Sequence, residues 1–188
     1  MQRATETYTE MGVLTLAGAC SQDAGEVELV AGDAAAARAE FEWGDRFLSQ
    51  IGEHSYRSTV LAMLAWARAL LGERKAALAA TELSEHLSAP EDVLNFTYTT
   101  RTRSALALAD GDLDAAERWA RTAVDNAYRS ELYECRGGTK LQLSRVLAAR
   151  GQAHEAAGAA RAALLVYEQK GDQPRARQAW AQVQALSR

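Results

Sequence analysis

The segment LADGDLDAAERWA, residues 108–120, decides how this chain folds. An apolar run stops at Gly111, and an aspartate follows at once. Small and apolar residues then recur at helical spacing: Ala115, Ala116, Trp119, Ala120, Ala123, Val124 and Ala127. A glycine just past a helix takes the left-handed conformation without a Cβ penalty, and an aspartate side chain can accept the first free N–H groups of the next helix. The segment reads as the corner of a helical hairpin.

Three other segments align with it: LVAGDAAAARAEF (29–41), ALLGERKAALAAT (69–81) and LAARGQAHEAAGA (147–159). Their glycines and the first are Gly32, Gly72, Gly111 and Gly151, spaced by 40, 39 and 40 residues. Five residues after each lies an alanine: Ala37, Ala77, Ala116 and Ala156. Seven residues before each lies something small: Gly25, Ala65, Ser104 and Ser144. Columns of small residues in register let two helices cross closely, and a fixed internal period of this length means stacked helical hairpins. The residues after the glycines are Asp33, Glu73, Asp112 and Gln152, of which the two aspartates are the better caps.

This register predicts first helices near 13–30, 55–70, 92–109 and 131–149, and second helices near 33–50, 74–88, 112–128 and 152–169. In the fourth repeat Ala156, Ala160, Ala163, Leu164 and Tyr167 form the stripe of the second helix. A ninth helix closes the chain near 172–187: Gly171 stops its predecessor, Asp172 and Pro174 suit a first turn, and Ala176, Trp180, Val183 and Leu186 form one apolar face. The stretch FTYTTRTR (96–103) reads locally as a strand or a basic patch, yet the register puts it in the first helix of the third repeat.

Composition agrees. The 188 residues are 48% hydrophobic, with alanine supplying much of that, 7% aromatics and two prolines, which favours helix almost throughout. A net charge of −4 without basic clusters argues against nucleic acid, because phosphate neutralisation supplies most non-specific affinity. No apolar run approaches the roughly 20 residues of a membrane span, and the short apolar patch near Val13 follows acidic residues, so neither a membrane nor a targeting signal is expected. Two cysteines suggest a reducing, cytoplasmic setting. Cys20 and Cys135 fall in the first and fourth repeats, too far apart for a disulfide if neighbouring helices pack about 8–10 Å apart.

No catalytic constellation, phosphate loop or cofactor motif emerges, so a cofactor-free, non-enzymatic protein is expected. His54, His86 and His154 are scattered. Glu82 and His86 lie one turn apart, which suits a surface pair better than a metal site lacking further ligands. Cys135, between Glu134 and Arg136, has no activating base in view. Gly137-Gly138 falls inside a predicted helix and reads as a kink or late helix start in preference to close approach by a ligand. On that reading Gly111→Val destabilises the fold more than Gly137→Ala.

At these columns the chain resembles the tetratricopeptide (TPR) superfamily. The residues carrying the resemblance are Gly111-Asp112-Leu113-Asp114-Ala115-Ala116 with Ser104 and Ala123, and their counterparts in the other repeats. The implied fold class is all-α: a right-handed α-solenoid of about four TPR-like hairpins with a C-terminal capping helix. One domain over 1–188 would hold repeats near 13–51, 55–90, 92–129 and 131–170 and a cap at 172–187. The 40-residue period exceeds the superfamily's usual 34. With the closing phrase AALLVYEQKGD (162–172), it resembles the TPR-like C-terminal region of large bacterial signalling ATPases and adenylate-cyclase-type regulators. Those proteins set an ATPase, sometimes with a cyclase or DNA-binding domain, beside such repeats; GxxxxGK[ST] is missing here.

The resemblance implies a protein-interaction scaffold, or alternatively a module that senses a small effector. Its inner-face positions correspond to Gln22, Glu26, Thr59, Trp66, Tyr98, Arg101, Leu141 and Arg145. Tyr98, Arg101, Trp66 and Arg145 there would favour a peptide with acidic groups. Arg103 departs from the superfamily's packing leucine. Pairing of two copies through Val13, Leu14 and Leu16 of the first repeat is a further expectation.

Overall fold

The computed structural model describes residues 2–186. Among them the structure is helical throughout, with no strand. The elements are α1 (Gln2–Glu10), α2 (Leu14–Ala31), α3 (Ala34–Gln50), α4 (Ser55–Leu70), α5 (Arg74–Leu87), α6 (Val93–Ala109), α7 (Leu113–Ala127), α8 (Tyr133–Ala149), α9 (Ala153–Gln169) and α10 (Gln173–Ala185). Two compact units are present, residues 1–95 and 96–188, with the division inside α6. In the first unit α1 packs on α2, α2 on α3, α3 on α4 and α4 on α5. In the second α7 packs on α8, α8 on α9 and α9 on α10. No helix among the described residues is long and apolar enough to cross a membrane.

Nine helices lie where the repeat register puts them, their ends within two residues of expectation. α1 was not foreseen. Its threonines are poor helix formers, and in the structure two of them bond back to the preceding turn: the Thr7 and Thr9 hydroxyls donate to the carbonyls of Arg3 and Thr5 at 2.7 and 2.8 Å.

The corner at Gly111 has φ +78°, inside the left-handed region that L side chains avoid. Gly32, Gly72 and Gly151 share that conformation. So do Gly12, Gly52 and Gly171, so left-handed corners also precede α2, α4 and α10. Asp33 and Asp112 cap as expected, accepting from the Ala36 and Ala115 amides at 2.9 Å each. Asp172 does the same for Arg175 at 3.2 Å, whereas Glu73 and Gln152 make no side-chain cap.

The two small-residue columns lie in the buried interior. Ala37, Ala77, Ala116 and Ala156 are all fully buried, as are Ala65, Ser104 and Ser144. In the second unit the columns touch. Ser104 Oγ donates to the Ala116 carbonyl at 2.9 Å, and Ser144 Oγ to that of Ala156 at 2.8 Å. Each hydroxyl also accepts from a glutamine amide 38 positions later, Gln142 at 3.2 Å and Gln182 at 3.4 Å. Removing the Ser104 hydroxyl takes away the partner of the buried Gln142 amide and a second bond to the Ala116 carbonyl, so Ser104→Ala should cost about 1–3 kcal/mol in urea unfolding. A neutral result would mean that water or another group satisfies them.

Two expectations about exposure fail. Trp119 and Trp180, assigned to apolar stripes, are 37% and 52% exposed; alanines supply the buried face of α7, while Ala176, Ala179 and Val183 supply that of α10. Conversely α4 is buried continuously from Val60 to Ala67. FTYTTRTR is helical, and Thr97, Thr99, Thr100 and Thr102 are buried. Thr100 Oγ1 donates to the Phe96 carbonyl of the turn before, which hides its polarity and lets it fill space. Arg103 has its guanidinium over the Trp119 ring, 5.6 Å from the centroid. A cation–π contact thus stands where a leucine was expected.

Candidate binding site

The second unit carries a paired-arginine face built on α8. Gly137 and Gly138 lie inside that helix, both buried, one turn past its first residue, so they are not a late start. A Cβ on Gly137 would come within 2.3 Å of the Tyr167 ring from α9. One on Gly138 would come within 2.7 Å of the Arg101 guanidinium from α6. The glycine pair is therefore a notch on α8, admitting an aromatic ring at one step and a guanidinium at the next. Leucine or alanine there would gain helix propensity and lose the notch.

Arg145 lies two turns further along α8 and is exposed. Its pKa is nonetheless lowered, first by burial and then by the positive charge of Arg101, with Tyr167 acting in the opposite sense. Arg145 is thus accessible while standing close enough to Arg101 for the two like charges to repel. Among the described residues no carboxylate pairs with Arg145. Two guanidinium groups that raise each other's electrostatic energy would both be stabilised by an anion set between them.

The other expected site residues divide by burial. Trp66, Tyr98 and Leu141 are only 3%, 6% and 6% exposed, so they are core residues where an accessible face was expected. Leu141 packs with Ala163, Tyr167, Ala176 and Ala179. The reason is that α4 and α8 are covered on more sides than a helix lining an open groove. In the first unit Gln22, Glu26 and Thr59 are half-buried, and the Gln22 amide donates to the Tyr56 carbonyl at 3.3 Å, joining α2 to the start of α4. Of the eight, the structure brings together Arg101 and Arg145. Sequence reasoning missed Tyr167 as their neighbour. The glycine pair was the visible signal, but the group it accommodates comes from another helix.

Neither cysteine is in a disulfide, and both lie on helices, Cys20 half-buried and Cys135 buried. Glu82 and His86 are exposed on α5, and no cluster of three metal-ligating side chains occurs among the described residues. Val13, Leu14 and Leu16 remain exposed at 37%, 39% and 36% although α1 packs on α2. No protein-family model matches the chain, and no curated protein matches it.

Proposed function

We propose that this chain is a non-enzymatic protein-interaction module of the TPR-like, right-handed α-solenoid kind. Its four corner glycines and paired small-residue columns support that fold reading. The partner is an acidic peptide segment, and its carboxylates sit at Arg145 and Arg101. The observation that carries this reading is Arg145 itself: accessible, desolvated, beside a second cation and with no carboxylate partner among the described residues. In the setting the resemblance implies, the module regulates a bacterial signalling ATPase or transcriptional regulator.

The test uses a fluorescein-labelled hexaglutamate peptide and its glutamine counterpart in an anisotropy titration. The glutamate peptide should bind more tightly, and added salt should weaken it. Arg145→Glu should weaken it about tenfold or more, the scale of one charge-assisted hydrogen bond lost and replaced by repulsion. Thermal unfolding should not be lowered, because the side chain is exposed and the reversal removes its repulsion with Arg101. Arg101 is left intact, since its guanidinium packs against Gly138 and reversing it would disturb the fold. Equal binding of both peptides, or no effect of Arg145→Glu, refutes the reading.

Effector sensing, the second reading, is favoured by one observation: a cleft of ligand size in the first unit.

A further inference from the structure

That cleft lies between α1, α2 and α3 and measures about 480 Å³, within the ordinary range for small-molecule sites. Its floor is Ser21 and Ala24, 1% and 7% exposed. Half-buried Cys20 and Trp43 form its walls, and exposed Glu6 and Glu40 stand at its rim. The floor exists because α3 carries Gly44, where a Cβ would come within 1.9 Å of Ser21 Oγ; the bare backbone lets α2 and α3 close together beneath the opening. Trp43 is held in place by stacking on Phe47, with ring centroids 5.3 Å apart.

The chemistry of the lining is one-sided. It holds two carboxylates and an indole, and no lysine, arginine or histidine. Neither Glu6 nor Glu40 has an ion-pair partner among the described residues. An anion would be repelled at the rim, and a neutral apolar molecule would gain nothing from the carboxylates. An ammonium group on an apolar body meets every feature: charge at the rim, a π-face on the wall and an apolar floor at Ala24.

The geometry points to this cleft as a binding site for a small organic cation of the ammonium class. The site is independent of the Arg145 face, which lies in the other unit.

Choline and its neutral carbon isostere 3,3-dimethylbutan-1-ol separate charge from shape. In calorimetric titrations choline should bind about tenfold more tightly than the isostere, given the size of cation–π and exposed carboxylate contributions together. Glu40→Gln should weaken choline by about twofold to fivefold, and Trp43→Leu by about threefold to thirtyfold, whereas Trp43→Phe keeps part of the affinity. Saturating choline should also slow iodoacetamide alkylation of Cys20, the accessible thiol, without affecting buried Cys135. Arg145→Glu should leave choline binding unchanged, so failure of either site is read separately. Equal affinity for the isostere, no heat with choline, or choline binding indifferent to Glu40→Gln and Trp43→Leu would each overturn the assignment.

Discussion

Gly25→Ala should destabilise the chain by about 1–3 kcal/mol, although alanine is the better helix former by about 1 kcal/mol. The added Cβ would lie 2.3 Å from Phe41 Cε1, and the Phe41 ring is fully buried with no room to yield. The other repeats show why. Where Ser104 and Ser144 replace Gly25, the position of Phe41 is taken by Ala120 and Ala160. Size has been exchanged across one crossing. Phe41→Ala alone should cost about 3–5 kcal/mol through the cavity it leaves. The pair Gly25→Ser with Phe41→Ala recreates the arrangement of the second unit and should cost at least about 1 kcal/mol less than the two changes summed. Urea unfolding of the three variants decides it. Strict additivity would show that Gly25 and Phe41 do not share that space.

Gly137→Ala carries the second large effect, and its sign separates the structure from propensity. By propensity alone, alanine inside α8 should stabilise by up to about 1 kcal/mol. With the Tyr167 ring 2.3 Å from the new Cβ and itself 2% exposed, the substitution should instead destabilise by about 1–3 kcal/mol. Gly138→Ala should cost less, because it meets the far end of the Arg101 side chain rather than a rigid ring. Gly111→Val keeps its backbone cost of about 1–2 kcal/mol, with open space around the corner. The sequence-based ordering of Gly111→Val above Gly137→Ala therefore no longer holds as a clear separation. Circular-dichroism melts and urea curves for Gly137→Ala and Gly138→Ala test this. A stabilised Gly137→Ala would mean that Tyr167 moves aside at no cost.

The turns were legible in the sequence because glycine, aspartate and two small-residue columns are local signals with fixed offsets. Nine helices followed from them. What was not legible depends on residues far apart in sequence. A helix covered on most of its sides shows no narrow stripe, so the burial of Trp66, Tyr98 and Leu141 left no periodic trace. Thr97, Thr99 and Thr102 look like surface or strand residues until their burial in α6 is seen. Arg103 is explained by Trp119, and Gly137 by Tyr167; neither partner is marked as such by spacing. Of the candidate site, Arg101 and Arg145 were legible as a pair, and the carboxylate-rimmed cleft was not, since α1 itself was missed.

The hydroxyls of Ser104 and Ser144 have a consequence for how such a chain lengthens. Each is satisfied by a glutamine 38 positions downstream, Gln142 or Gln182, beyond the hairpin to which the serine belongs. The unit that can be copied by duplication is therefore offset from the visible hairpin, running from one serine to the following glutamine. An extra copy cut at those points carries its own donor and acceptor. A copy cut at the corner glycines joins a serine to whatever residue the neighbour happens to supply. Homologous recombination or deliberate grafting should accordingly succeed or fail by where the seam falls, more than by how many helices are moved.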